Sequence, residues 1–503
     1  MQERSESPRA LSLILFLALA AVVTRLPQLL SPHLVLDGDE AILSLMARRA
    51  IRFESFPLYF DGQKYGFSSL ETLWAALSFA AFGAQTIVLK LAMLSIWVAA
   101  ATGLCLALCR LAGQRAAWVA ALLIVTCPGW GPWSMKARGG YLTALLLVQV
   151  CRWILARSTA GPLARANRRE TFTLGLCASG ALIAQPIWFL SLAPWLLVFM
   201  WRHRMNPKAW IDGFAGATVT LIAVVLPGVF LQSGSWSPSL FNAPDLLAAV
   251  REFPQLVTRA FSGAYYLRQA VDGSPYGISA TLWIAAFAFA AARTLFAPGI
   301  HATAQRATLA GTLLVAGFAL PTLTPRYLLP VLDALVFVLA IQSAATTPRT
   351  SARRANTLLV TILAITGLTC MWSFRNLCFT GDDVVPTVPS ERAALTETLA
   401  VLEEHGVRGV YTLDPLLQWI LIDASAEQLP ARWKAATERT PIYIDRFEQA
   451  ADSGARVALV AYKRQRPLIE ATAQQVDIIE VAGRFILVLD PSGELLEVLG
   501  FDR

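Results

Sequence analysis

The chain has 503 residues and a formal net charge of +8, with 56% hydrophobic and 15% charged residues. Soluble domains carry about a quarter charged residues, so this composition excludes an ordinary soluble protein. The basic balance does not require nucleic-acid binding, because the Lys and Arg residues fall in short loops between apolar runs. Retention of basic loops on the cytoplasmic side of a membrane explains them better.

The apolar residues fall in runs of roughly 15–25, the length that a helix needs to cross a hydrocarbon core about 30 Å thick. This spacing predicts a polytopic α-helical membrane protein with about 11 transmembrane helices. The first run begins like a secretory signal, but its apolar residues continue to Leu30, which favours a retained span. The predicted spans are 11–30, 86–109, 115–130, 140–157, 171–185, 187–201, 209–231, 277–296, 306–322, 326–342 and 356–374.

Basic residues divide unevenly between the loops on the two sides of these spans. Every loop on the side that includes the N-terminus contains arginines, so we expect that side to be cytoplasmic. An odd number of spans then places loops 31–85 and 232–276 on the outer side, together with the tail. The first of these loops should contain helices at about 39–52 and 68–82. The second helix is either a surface helix or a shallow span.

The tail after the last span has a soluble character. One segment has helical spacing, and three later ones are rich in β-branched residues. We therefore expect a transmembrane domain over 1–375, followed by a C-terminal soluble α/β domain over 376–503. The segments are Glu391–His405, Val407–Thr412, Arg456–Tyr462 and Val476–Leu489.

Three acids stand together in the first outer loop: Asp37, Asp39 and Glu40. Helix capping explains part of the cluster, with Asp39 as the cap of a helix over 40–52 and Glu40 in its first turn. Capping alone does not require three carboxylates beside a membrane, where desolvating them is costly. The functional interpretation is a general base that takes a proton from an incoming hydroxyl. The residues alone leave both interpretations open.

Cations on the predicted outer side suggest a phosphate site near these acids. Arg326-Tyr327 begins a span directly after Pro325, which places a guanidinium at the membrane surface, suited to a lipid-linked phosphate. Any one of these cations is equally explained as a solvated or snorkelling side chain. The outward cations are Lys64, Lys136, Arg138, Arg259, Arg268 and Arg326.

The sequence defines no metal site. Most of the cysteines lie in apolar runs, so their positions indicate neither a disulfide framework nor a Cys-rich metal site. Of the histidines, only His33 falls near the acidic loop. The cofactor is therefore unknown, and binding of a divalent cation through the carboxylates is left open.

Several motifs occur in order along the chain. Asp39-Glu40-Ala41 follows the first span, then come Gly62-Gln63-Lys64-Tyr65-Gly66 and Glu71, and much later Arg326-Tyr327-Leu328-Leu329-Pro330. This set resembles the GT-C superfamily of polyprenyl-phosphate-sugar-dependent glycosyltransferases. Within it, the chain is most similar to bacterial family 39 members, which are like protein O-mannosyltransferases and the aminoarabinose transferase of lipid A. Members often carry a small outer α/β domain after the last span.

The resemblance implies a sugar transferred from a polyprenyl phosphate to lipid A, a glycan or a protein at the outer face of the bacterial inner membrane. It implies one inverting displacement, with Asp39 as the base and the arginines on the phosphate leaving group. The residues expected at the catalytic centre are Asp39, Asp37 and Glu40. Those expected to bind the substrate or its phosphate are Lys64, Glu71, Arg138, Arg326 and Tyr327.

Two other classes of function remain as alternatives. A transporter or flippase of a lipid-linked saccharide would bury ionisable groups near the middle of the membrane, and Asp333 is the chief residue of that kind. Relatives usually lack an acid at this place. A non-enzymatic scaffold is the third alternative, but it gives the acidic loop no role.

Overall fold

The computed structural model of the protein describes residues 7–56, 58–63, 66–159, 167–204, 206–227, 246–263, 275–296, 301–345, 351–374, 390–434, 441–472 and 477–501. Lys64, one of the residues expected to bind the substrate, lies outside these ranges. So does Arg268, and of the predicted outer loop 232–276 only 246–263 and the last two residues are described.

The described chain up to Phe374 is almost entirely helical, because long apolar runs in a membrane must satisfy their own backbone hydrogen bonds. A π-helical turn at Leu221–Val225 extends the helix Pro207–Thr220, and 3₁₀ turns at Leu320–Thr322 and Pro325–Leu328 precede the helix Leu329–Ala344. The helices are α1 (Ser7–Leu29), α2 (Gly38–Ile51), α3 (Ser69–Phe82), α4 (Thr86–Ala112), α5 (Gln114–Thr126), α6 (Trp130–Trp133), α7 (Tyr141–Thr159), α8 (Arg168–Ala184), α9 (Pro186–Arg202), α10 (Pro207–Thr220), α11 (Leu246–Ser262), α12 (Pro275–Phe296), α13 (Ala302–Ala319), α14 (Leu329–Ala344) and α15 (Ser351–Ser373).

Within the described ranges, 6 helical stretches are long and apolar enough to cross a membrane. The helices α3, α5 and α9 are apolar but shorter. The prediction of a polytopic α-helical membrane protein is confirmed, whereas the total of about 11 spans stays a prediction. The six stretches are Ala10–Leu29, Thr86–Ala112, Pro207–Val225, Tyr276–Phe296, Pro325–Ala344 and Arg353–Ser373.

The centre of the bundle is α14, which is the most deeply buried of these six stretches. Elsewhere in the bundle, glycines allow helices to approach closely. A side chain at Gly175 of α8 would lie 1.9 Å from the carbonyl oxygen of Gly213 in α10. Small residues at such crossings let membrane helices pack backbone to backbone.

The chain between α2 and α3 forms a short turn at the edge of the bundle. Tyr59 and Phe67 pair as an antiparallel bridge, and Asp61 forms an ion pair with Arg49 of α2. The two helices lie within one residue of the predicted bounds 39–52 and 68–82. The pair of Glu40 in α2 with Lys90 in α4 holds this segment against the bundle.

The C-terminal region forms a five-stranded sheet with the order β2-β1-β3-β5-β4. Strands β2, β1 and β3 are parallel, whereas β5 runs antiparallel to β3 and to β4. The expectation of a C-terminal α/β region is confirmed. Its elements are α16 (Glu391–Glu404), β1 (Gly409–Thr412), α17 (Leu417–Ala424), β2 (Ala431–Trp433), α18 (Pro441–Asp452), β3 (Val457–Tyr462), a 3₁₀ turn (Lys463–Gln465), α19 (Arg466–Thr472), β4 (Ile479–Val481), β5 (Phe485–Leu489) and α20 (Gly493–Val498).

Two details of this region differ from the sequence-based expectation. The β-branched run 476–489 is not one segment, because a turn with left-handed backbone at Ala482 and Gly483 divides it into β4 and β5. Strand β2 was missed, since three residues are too few to show an alternating pattern. The boundary near residue 375 stays a prediction, because 375–389 lie outside the described residues.

Candidate active site

The acidic cluster lies at the N-terminus of α2. Asp37 is the cap: its carboxylate accepts a hydrogen bond from Glu40 N at 3.1 Å, and Glu40 Oε2 accepts one from Asp37 N at 3.2 Å. This capping box satisfies two backbone N–H groups that a helix start leaves free. The expectation that Asp39 caps the helix was wrong, because the helix begins two residues earlier. Capping therefore accounts for Asp37 and Glu40, and Asp39 remains to be explained.

Each of the three acids contacts a cation from another part of the chain. Asp37 pairs with Lys136, and Glu40 pairs with Lys90 of α4. Asp39 Oδ2 lies 2.7 Å from Nη2 of Arg138. Buried carboxylates require such partners, because an unpaired buried charge is strongly destabilising.

The Asp39–Arg138 pair is the accessible edge of this charge network. The side chains of Asp39 and Arg138 are 12% and 23% exposed, against 3% for Lys90 and 1% for Glu40. Burial raises the pKa of Glu40, an effect that Lys90 and the N–H of Ala137 oppose. Asp37 is also 12% exposed, but its partner Lys136 is only 4% exposed. A ligand that reaches the network therefore meets Arg138, with Asp39 beside it, before the buried lysines.

A second cation, Arg326, stands beside this edge. It belongs to the 3₁₀ turn Pro325–Leu328 that leads into α14. Its positive charge interacts favourably with the negative charge of Asp39. Its guanidinium interacts with the hydroxyl groups of Tyr141 and Tyr327, and its Cζ lies 5.3 Å from the Tyr327 ring centroid. Nε of Arg326 is buried and has no hydrogen-bond partner among the described residues. A buried N–H of this kind favours an anionic ligand.

The segment that carries Lys136 and Arg138 is held by a buried arginine of α1. Arg25 donates to Val125 O at 2.6 Å and to Ser134 Oγ at 3.0 Å. Its guanidinium also stacks over the Trp97 ring, 4.5 Å from the centroid. Arg25 thereby fixes the elbow between α5 and α7, from which the cations of the site project.

Two glycines shape the turn after Arg138. Gly140 has φ of +81°, and a side chain there would lie 2.6 Å from Phe67 O and 2.9 Å from Ala184 O. Only glycine fits this backbone and this close approach without strain. Gln185 Nε2 donates to Gly139 O at 2.8 Å. The turn fixes where Arg138 and Tyr141 lie relative to the segment between α2 and α3.

Glu71 of α3 holds this turn through hydrogen bonds to its backbone. Its Oε1 accepts hydrogen bonds at 2.9 Å from the backbone N–H groups of both Leu142 and Thr143, and Oε2 accepts one at 3.3 Å from Gly140 N. A carboxylate at a helix N-terminus is stabilised by those donors and by the helix dipole. Glu71 thus caps α7 from α3, and direct contact with a substrate stays a prediction.

Asp333, which the sequence left without an explanation, forms an ion pair with Arg152 inside the bundle. Gln149 Nε2 also donates to its two carboxylate oxygens, at 3.0 and 3.1 Å. All three side chains are buried. Asp333 of α14 is therefore neutralised by α7 and lies in a different charge cluster from that of Asp39.

The structure thus brings together six of the expected site residues: Asp37, Asp39, Glu40, Arg138, Arg326 and Tyr327. Glu71 caps α7 and so supports the turn that follows Arg138. Sequence reasoning missed Lys90, although a single Lys inside an otherwise apolar span is the signal that finds it. It also missed a role for Tyr141. The described residues contain no group of three or more His, Cys, Asp or Glu side chains that could hold a metal ion.

No protein-family model matches the sequence, and the search of curated proteins found no match. Solved structures, in contrast, match over nearly the whole chain. ArnT from Cupriavidus metallidurans bound to undecaprenyl phosphate has a TM-score of 0.60 at 15% identity, over 96% of this chain and 98% of ArnT. The apo state of the same protein gives 0.58 at 16% identity, over 97% and 99%.

The oligosaccharyltransferase of Archaeoglobus fulgidus, in complex with Zn and sulfate, has a TM-score of 0.52 at 12% identity. The alignment covers 92% of this chain and 68% of the oligosaccharyltransferase. The fold that this chain shares with these proteins is the GT-C fold, as the resemblance in its sequence implied.

Proposed function

We propose that the protein is a glycosyltransferase that moves a sugar from a polyprenyl-phosphate donor to an acceptor. The observation that carries the proposal is the Asp39–Arg138 pair, 2.7 Å apart, beside Arg326 at the start of α14. A carboxylate suited to act as a base and two guanidinium groups suited to bind phosphate thus lie together where membrane helices begin. The shared fold with ArnT, whose structure contains undecaprenyl phosphate, supports the same donor class.

In this proposal Arg138 and Arg326 bind the donor phosphate. Guanidinium groups suit this task because their N–H donors match phosphate oxygens two at a time. The buried, unpaired Nε of Arg326 gains a partner when the phosphate arrives. The hydroxyl groups of Tyr141 and Tyr327 orient the same guanidinium.

The proposed reaction is one inverting displacement. The acceptor oxygen attacks the anomeric carbon, and its proton passes to the Asp39 carboxylate. The bond between the anomeric carbon and the phosphate oxygen breaks, and its electron pair leaves with the polyprenyl phosphate. Arg138 and Arg326 stabilise the negative charge that develops there, which is where preorganised cations lower a barrier most. Asp37 and Glu40 hold the start of α2 and its cations in place.

We place the protein in the bacterial inner membrane, with a cytoplasmic N-terminus. The site and an α/β domain over 376–503 then face the periplasm, and the transmembrane domain is 1–375. The acceptor is lipid A, another glycan or a protein. The uneven distribution of arginines between the two sides of the spans supports this orientation.

A divalent cation is not needed to supply positive charge in this proposal. Within the described part of the chain, each acid of the cluster already contacts Lys or Arg. A metal ion at these carboxylates would have to displace a cationic side chain. The arginines therefore carry the electrostatic role.

The alternative function, a transporter or flippase of a lipid-linked saccharide, depended on Asp333. In the structure Asp333 is paired with Arg152 and hydrogen-bonded to Gln149. The acids and cations around Asp39, in contrast, include the partly accessible side chain of Arg138. This distribution favours the transferase.

The test is a reconstituted assay in which the purified protein meets polyprenyl-phosphate sugars and cell-envelope acceptors, and mass spectrometry detects free polyprenyl phosphate and glycosylated product. Loss of a general base typically costs 10²- to 10⁴-fold in rate, so Asp39→Asn should reduce transfer by about that factor. The matched control is Glu170→Gln, because Glu170 lies 2.7 Å from Arg157 in a pair of the same type far from the site. Transfer at the wild-type rate by folded Asp39→Asn would show that the base is wrongly assigned. Movement of the intact donor across vesicles without cleavage would favour the flippase.

A further inference from the structure

The α/β domain packs along the full length of the helix that carries Asp39. Helix α17 runs beside α2 in the same direction, and the contacts occur at three levels. At the first level, Leu416 covers Gly38, the residue between Asp37 and Asp39. A side chain at Gly38 would lie 2.6 Å from Leu416 Cβ. The α/β domain therefore touches the acidic turn itself.

The second level is polar and lies near the middle of α2. Asp423 Oδ1 accepts a hydrogen bond from Ser44 Oγ at 2.6 Å and lies 3.4 Å from Nε of Arg48. Arg48 also donates to Ala84 O at 3.2 Å, two residues before α4 begins. Because α4 carries Lys90, the partner of Glu40, one carboxylate of the α/β domain is tied to both helices of the charge network.

The third level lies at the C-terminal end of α2. Arg52, the C-cap residue, donates to both carboxylate oxygens of Glu427, at 2.8 and 2.9 Å. Tyr443 also donates to Glu427, at 2.9 Å. The helix is thus held near its start, its middle and its end by one surface of the α/β domain.

We infer that Asp423 of the α/β domain is a positioning residue for the reaction and acts by holding α2 so that Asp39 meets the acceptor hydroxyl. This inference rests on the proposed function. Asp39 needs such support because its own helix is short and a displacement of about 1 Å can cost about 100-fold in rate. Burial raises the pKa of the Asp423 carboxyl, and Arg48 and Ser44 oppose that shift.

The experiment compares Asp423→Ala, which removes both polar contacts, with Asp423→Asn, which keeps an acceptor for Ser44 but loses the charge facing Arg48. The matched control is Glu480→Gln, which removes an exposed carboxylate that pairs with Lys463 and Arg466 elsewhere in the same domain. Four quantities are measured in detergent on each full-length protein: kcat for transfer, the donor KM, the unfolding temperature, and hydrogen exchange of the backbone amides of residues 38–50.

We expect Asp423→Ala to lower kcat about 10- to 100-fold and to leave the donor KM within about twofold, because the phosphate-binding arginines are not on α2. Exchange in α2 should increase while the unfolding temperature changes little. Asp423→Asn should show a smaller change in the same direction, and Glu480→Gln should behave as wild type. If Asp423→Ala does not fold, the Asn variant decides the question.

A folded Asp423→Ala with wild-type kcat and wild-type exchange in α2 would overturn the inference. An equal loss of kcat in Glu480→Gln would overturn it as well, since the effect would then not depend on contact with α2. Absence of transfer by the wild-type protein with every donor would refute the proposed function instead. In that case hydrogen exchange still reports whether Asp423 holds α2.

Discussion

Asp39 of α2 and Arg138, three residues before α7, form a salt bridge with 2.7 Å between Oδ2 and Nη2. The pair joins a charge network inside the protein to a more exposed edge, because Arg138 is 23% exposed, whereas Lys136 and Lys90, the partners of the other two acids, are 4% and 3% exposed. A phosphate that binds Arg138 therefore arrives next to a carboxylate. In the proposed function, this relationship couples donor binding at Arg138 to proton removal by Asp39.

Arg326→Lys should weaken donor binding. Lys keeps the charge but loses the planar fork that binds phosphate and stacks beside Tyr327. Hydrogen bonds to charged groups contribute about 1.5–3 kcal/mol each, so we expect the donor KM to rise about tenfold or more. Inhibition by free polyprenyl phosphate should weaken in parallel. The control Arg168→Lys changes an exposed arginine paired with Asp212 at 2.9 Å, and it should leave both values unchanged. An unaltered donor KM in Arg326→Lys would remove Arg326 from the phosphate site.

Glu71→Ala should destabilise the protein, because the N–H groups of Gly140, Leu142 and Thr143 lose their acceptor. Loss of a helix cap and burial of unpaired donors together cost about 1–3 kcal/mol. The measurement is the unfolding temperature in detergent. Glu71→Gln keeps an acceptor and should retain most of the stability and the activity. If Glu71→Gln instead abolishes transfer without loss of stability, Glu71 contacts the substrate and is more than a cap.

Much of this site was predictable from local sequence. The set Asp37-Gly38-Asp39-Glu40 predicts a capping box, since an N-cap acceptor followed three residues later by Glu is its signature. Recognising it would have put the helix start at Gly38 and separated Asp39 from the two capping acids. The apolar runs likewise predicted the membrane bundle, because backbone hydrogen bonding inside a membrane leaves few other structures.

The pairings between distant segments were not predictable in the same way. Lys90 with Glu40, and Arg152 with Asp333, depend on which helices become neighbours and how each is rotated. A single sequence shows the periodicity of its apolar residues and its composition, but it does not show which residues of different helices lie close together. The cap that Glu71 places on α7 depends in addition on the close approach of two backbones at Gly140. Contacts of α17 with α2 follow from how the α/β region docks, which no local pattern encodes.

Transfer should continue when divalent cations are removed. The carboxylates of the acidic cluster contact Lys136, Lys90 and Arg138, and the proposed leaving group is stabilised by arginines. The measurement is the transfer rate after dialysis against EDTA, compared with the same sample after addition of Mg²⁺ or Mn²⁺. Equal rates are expected. A loss that Mg²⁺ or Mn²⁺ restores would contradict this and would mean that a metal takes part in donor binding or catalysis.

Asp333 and Arg152 should be needed for stability and not for transfer. The pair is buried in the bundle, with Gln149 as a third partner. Asp333→Asn alone leaves the Arg152 charge without its carboxylate, and breaking a buried pair in this way costs about 3–5 kcal/mol. Replacing both residues, as Arg152→Met with Asp333→Leu, removes both charges and should recover most of that stability, because apolar substitutes for a buried pair are often neutral or stabilising.

The double variant also separates the two candidate functions. A glycosyltransferase whose chemistry occurs around Asp39 should transfer sugar at close to the wild-type rate in the double variant, because apolar side chains have replaced both charges of the buried pair. A transporter that uses a charged residue inside the membrane would lose its activity in the same protein, because both ionisable groups are gone. The unfolding temperature and the transfer rate of the single and double variants therefore form one test. A folded double variant without transfer would connect the Asp333–Arg152 pair to function, and the role assigned to Asp39 would then no longer explain the activity alone.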